Sequence, residues 1–99
     1  MTSGASGWLR LSDDDNVVVL THGVEAGAEL AGPSGDHWLM AVDVPAGHKL
    51  AAQPIGAGEL VLKFGFPIGV ATRPIAPGEH VHTHNLSSRH IPAETEETT

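Results

Sequence analysis

Seven histidines fall in a chain of 99 residues, and His80, His82, His84 and His90 crowd its C-terminal part. His80, His82 and His84 are spaced by two. On a β-strand that spacing turns three imidazoles to one face, with Val81 and Thr83 on the other. Imidazoles at i and i+2 can share a metal ion when another donor comes from elsewhere, and each can give or take a proton near neutrality. The other reading is a polar strand face of solvated rings. Asn85 adds an amide able to orient a carboxylate or a hydroxyl. His48-Lys49 follows Gly47, where a turn tip would aim a cation or an acid–base group outward; an exposed loop histidine is the alternative. Lys63 lies between Leu62 and Phe64. A lysine among strand apolars is partly desolvated and suits carboxylate binding or base chemistry. A lysine on the outer face of an edge strand is the bland reading.

Composition narrows the classes. Five Lys+Arg against 12 Asp+Glu give a formal charge of −7, and no basic stripe is present, so phosphate-backbone binding is disfavoured. Zero cysteines exclude a disulfide scaffold, a thiolate zinc site and a cysteine nucleophile. Apolar runs are only a few residues long, so no helical membrane span is expected, and residues 1–10 lack the pattern of a secretory signal. A cytoplasmic protein is the expectation. Asp13-Asp14-Asp15-Asn16 lacks the spaced ligands and closing Glu of a calcium loop and reads as a solvated turn before a strand. No nucleophile elbow, phosphate loop or dinucleotide fingerprint is present.

The elements that must position these residues are short strands. Four segments share a pattern of apolar residue, Ala or Pro, Gly, and a second apolar residue: Val24–Leu30, Val44–Leu50, Ile55–Val61 and Ile75–Val81. The first and third, and the second and fourth, are each 31 residues apart, which suggests two related halves. Glycine at a fixed place supplies the positive φ of a type II turn, so each segment reads as strand, tight turn, strand. Further strands are expected at 16–20, 37–42, 59–64 and 80–84, with one helical turn at 66–69. Apolar residues never recur at helical spacing for three turns, and 12 Gly and 7 Pro punctuate the chain. An all-β domain over 9–90 follows, flanked by disordered residues 1–8 and an acidic disordered tail, 91–99. Trp38 reads as core or interface.

Four stretches, taken together and in order, carry a resemblance. They are Leu11–Val19, Val44–Lys49 with its Gly-His-Lys, Lys63–Ile75 with Lys-Phe-Gly-Phe-Pro-Ile-Gly, and Gly78–Leu86 with His-Thr-His-Asn. The chain resembles the small SAF-type domain of the altronate and galactarate dehydratase family over about residues 9–90. In that family the domain is either the N-terminal part of a long chain or a separate small subunit, as in sulfolactate sulfo-lyase. The resemblance implies a β-clip fold with an internal two-fold duplication. It implies lyase chemistry on a hydroxy acid with a divalent metal (iron, manganese or magnesium) and a large catalytic subunit as partner. Carried onto this sequence, it implies His48, His84 and Lys63 as catalytic residues, Lys49, Thr83 and Asn85 in substrate contact, and His82 and His84 as metal ligands. The family position of His80 is usually aromatic, which sets His80 apart from the shared functional residues.

Two functions remain open at this level: the small subunit of a two-component lyase, and a β-clip module that binds a ligand or glycan with no catalytic partner. The Gly-His-Lys and His-Thr-His-Asn motifs favour the first. A flat apolar surface that includes Trp38 or Phe66 is the expected contact face for the large subunit.

Overall fold

The computed structural model describes residues 7–88; the termini expected to be disordered lie outside the described residues, apart from Gly7 and Trp8. Nine short strands make up the structure: β1 (Trp8–Leu9), β2 (Val17–Leu20), β3 (Glu29–Ala31), β4 (His37–Leu39), β5 (Lys49–Ala51), β6 (Leu60–Lys63), β7 (Phe66–Ala71), β8 (His80–Val81) and β9 (Leu86–Ser87). They form an antiparallel sheet of order β1-β2-β5-β8, a β3-β4 ribbon and a β6-β7-β9 sheet. The described residues are all-β, and none of their helices is long and apolar enough to cross a membrane.

The four-stranded sheet is buried on both faces, which explains the unbroken Val17-Val18-Val19-Leu20 run. Val18, Leu20 and Leu50 pack into one core with Trp8, Trp38, Met40 and Val44. Their chain neighbours Val17 and Ala51 pack into another with Ile55, Val61, Ala71, Ile75 and Val81. Trp38 is 4% exposed and belongs to the first core, so it is not available as a contact face, whereas Phe66 is 71% exposed.

The glycine segments fold differently from the hairpins expected of them. Gly27, Gly47, Gly58 and Gly78 all have φ between 83° and 92°, as a type II turn requires. Yet the residue before each turn does not pair with the residue after it. Val24 bridges Val44, and Ile55 bridges Ile75, so the first segment pairs with the second and the third with the fourth. The backbone bonds recur 31 residues on. Gly47 N–H donates to Leu20 O and Gly78 N–H to Ala51 O; Gly27 donates to Met40 O and Gly58 to Ala71 O.

The segment 66–69 is strand, not a helical turn. Phe64 (φ 55°) and Gly65 (φ 85°) form a two-residue connection, pairing Lys63 with Phe66 across a tight hairpin. A phenylalanine at positive φ is strained and needs support. Asp15 provides it. The amides of Phe64 and Gly65 both donate to its carboxylate at 2.8 Å, and the side chain is 1% exposed. The acidic run is therefore only partly a solvated turn: Asp13 and Asp14 are exposed, while Asp15 and Asn16 are buried. Asn16 bonds Leu60 O and Leu62 N–H, either side of the register shift in β6. The strand expected at 80–84 ends at Val81, and 82–85 is a turn.

Two substitutions test this account by urea denaturation. Gly27→Ala meets nothing within 4 Å and carries only the positive-φ strain, about 1–2 kcal/mol. At Gly78 the new Cβ would stand 2.6 Å from Trp38 Cγ, so Gly78→Ala should cost clearly more. Equal losses would refute the packing role of Trp38 against that turn. Asp15→Ala leaves the amides of Phe64 and Gly65 without their carboxylate and should cost about 1–3 kcal/mol.

Candidate functional site

Antiparallel pairing brings the dispersed histidines together. Leu50 of β5 is opposite His80 of β8, so the two side chains share a face of the sheet. His48 lies two residues before Leu50, directly after the Gly47 turn. Its Nδ1 is 3.0 Å from His80 Nε2, a hydrogen bond between two imidazoles. Such a bond needs a lone pair on one nitrogen, so at least one ring is uncharged. The ring of His82 stacks on His48 at 4.7 Å and lies 5.5 Å from His80, while His84 lies 5.7 Å from His80 on a tilt. His48 and His84 thus flank His80 on one surface.

The turn that presents His82, Thr83 and His84 is built on Asn85. Its Nδ2 donates to His80 O and its Oδ1 accepts from His82 N–H, both at 2.9 Å. The Asn85 backbone closes the turn onto His82 O and receives Thr72 N–H, and Arg73 reaches His84 O. Asn85 is 0% exposed. A side chain with no exposed surface offers a substrate no atom, so the substrate contact expected of Asn85 gives way to a positioning role: its amide shapes the loop that carries the imidazoles. Thr83 is exposed at the turn.

The lysines form a separate group. Lys49 pairs with Val81, which puts it on the opposite face of β5 from Leu50 and His80. Burial holds the Lys49 ammonium below its ordinary pKa, and the charge of Lys63 adds to the effect. Lys63 Nζ lies 5.2 Å from the Phe64 ring centroid. Lys49 and Lys63 are thus neighbours, and of the two it is Lys49 whose charge reaches His80. Partial burial is the main cause that lowers the His80 pKa from 6.5, followed by His48, His82, His84 and, last, Lys49.

His48, His80 and His82 each offer one nitrogen, and these atoms lie within 4.8 Å of one another. The metal pair expected from sequence, His82 with His84, is not the group the structure assembles. His80, which the resemblance had set aside, stands at the centre. The signal for it was the spacing of two that it shares with His82 and His84. Beside the cluster is a cleft of about 490 Å³ lined by Leu39, Val42, Val44, Pro77, His80 and His84, among others.

The described residues form a small β domain with two cores and with imidazoles gathered at one sheet edge. The chain matches the family described as the altronate/galactarate dehydratase SAF domain over residues 6–89, and it belongs to that family. It is 38% identical to (2R)-sulfolactate sulfo-lyase subunit alpha of Chromohalobacter salexigens, covering 79% of this chain and 88% of that subunit. It is 35% identical to altronate dehydratase of Bacillus subtilis and 39% identical to that of Escherichia coli. Those matches cover 82% and 79% of this chain but 16% of each dehydratase, so it corresponds to a small part of those longer enzymes. The relatives are lyases, and the name of the sulfo-lyase subunit denotes a multi-subunit enzyme.

The direction of the His80 shift fixes a pH dependence. Its folded pKa is below the unfolded 6.5, so the unfolded chain takes the proton more readily. This contribution to stability is present above 6.5 and is lost as the pH falls through the folded value. The urea midpoint should therefore drop more on acidification in the parent chain than in His80→Gln. Parallel pH profiles of the two proteins would count against it.

Proposed function

We propose that this chain is the small subunit of a cytoplasmic two-component lyase that eliminates water or sulfite from a hydroxy acid, in partnership with a large catalytic chain. The observation that carries this reading is the gathering of His48, His80, His82 and His84, two of which (His80 and His84) line a cleft, in a domain that spans 88% of a sulfo-lyase alpha subunit. Altronate, galactarate and sulfolactate are the candidate substrate types.

Elimination across C2–C3 of a hydroxy acid needs a base for one proton, an acid for the leaving group and stabilisation of charge on the carboxylate. A divalent metal such as iron, manganese or magnesium in the assembled enzyme supplies an electrophile for that charge. Of the two imidazoles read from sequence as acid–base groups, His84 is the better placed. It is exposed at the cleft and outside the His48–His80 hydrogen bond. His48 shares its Nδ1 with His80, which suits holding the cluster in register more than turning over protons. Lys49 and Lys63 supply positive potential that draws in an anionic substrate. The exposed side chains of Leu39 and Val42 beside the cleft, together with Phe66, replace Trp38 as the apolar surface offered to the large chain.

Co-expression with a large lyase chain of the same organism tests this. The two should co-purify, the pair should turn over one of these acids, and this chain alone should be silent. In the pair, His84→Ala should lower kcat about 100-fold or more with assembly intact. Near-normal kcat would remove His84 from the chemistry. A chain that binds no large partner but retains a sugar ligand would favour the stand-alone binding module.

A further inference from the structure

We propose that His48, His80 and His82 form a metal site held entirely by this chain, selective for a borderline transition ion such as Fe(II), Co(II), Ni(II) or Zn(II) over Mg(II). The donor set decides the ion. Three imidazole nitrogens with no carboxylate suit these metals, whereas magnesium wants oxygen ligands in an octahedron.

The spacing fits a common ion. Two nitrogens about 2.0–2.1 Å from one metal are about 3 Å apart at a right angle and about 3.4 Å apart at the tetrahedral angle. His48 Nδ1 and His80 Nε2 stand 3.0 Å apart already. The third nitrogen is within 4.8 Å of both, on the exposed side chain of His82, whose ring already stacks on that of His48. The His48–His80 hydrogen bond is what an ion would replace, and the atoms that share the proton are the ones that would share the metal.

The scaffold holds the ligands by backbone bonds remote from the rings. Leu20 N–H donates to His48 O, and Asn85 ties His80 O and His82 N–H to one amide. Lys49 is directed to the opposite face of β5, so its ammonium does not occupy the space between the rings. Three protein ligands leave coordination positions open, which is the arrangement of sites that bind a further small ligand and not of closed structural sites. His84 lies beside those positions, 5.7 Å from the His80 ring.

The test is metal titration of the tag-free full chain without any partner, read by Co(II) visible absorption and by calorimetry with Zn(II). It does not read lyase turnover, so failure of the lyase proposal and failure of this one are separable. One Co(II) per chain with ligand-field bands is expected, and no saturable Mg(II) binding. His80→Ala and His82→Ala should each weaken Co(II) binding about tenfold or more, while His84→Ala and His37→Ala should change it less than about twofold. Circular dichroism and the urea midpoint check folding. If His80→Ala unfolds, the exposed His82→Ala decides alone. Failure of the parent chain to bind Co(II) at millimolar levels, or unchanged binding in His82→Ala, would overturn the site.

Discussion

The placement of the histidines depends on glycine turns that do not close hairpins of their own. Gly47 and Gly78 take a backbone conformation that costs an L side chain about 1–2 kcal/mol. In return their amides bond to Leu20 O and Ala51 O, on the strand that each following strand joins. The turns therefore place β2, β5 and β8 side by side although about 30 residues separate them along the chain. That lateral order brings His48 to His80. A turn closing its own hairpin would have put the two histidines in separate sheets.

Two buried polar anchors then fix what the turns leave loose. Asp15 holds the amides of a strained two-residue connection, and Asn16 spans the register shift beside it. Asn85 does the equivalent for the histidine loop. In a domain of short strands, backbone groups beyond the ladders have few regular partners. A buried carboxylate or amide satisfies two or three of them at once. No buried side-chain polar atom among the described residues lacks a partner.

The division of charge across β5 gives the site its chemical character. The imidazoles of His48 and His80 collect on one face of β5 and the ammonium of Lys49 lies on the other. Under the proposed function, the lysines would offer an attractive potential to an anionic hydroxy acid, with the imidazoles on the cleft side. The alternation of side chains along a strand produces this from the adjacent pair His48-Lys49. Exposed Leu39 and Val42 border the same cleft, so a partner covering them would enclose the imidazoles and exclude water from them.

The sequence by itself determined the all-β class, through glycine turns and the absence of helical periodicity. It also offered His48, Lys49, Lys63, His82, Thr83, His84 and Asn85 as candidate site residues, and the four motif stretches carried the family. Its errors have physical causes. Phe66–Gly69 looked like a turn of helix because the support for a strand there comes from Asp15, about 50 residues away. Asp15 looked solvated because an acidic run shows nothing of the distant amides, of Phe64 and Gly65, that one of its members serves. His80–His84 read as strand by alternation, but Asn85 captures the backbone at His82 and turns it. Only tertiary structure decided that His80 belongs at the centre and that the lysines stand apart. Local spacing sets which face a side chain takes on its own strand, whereas the pairing of distant strands sets what that face meets.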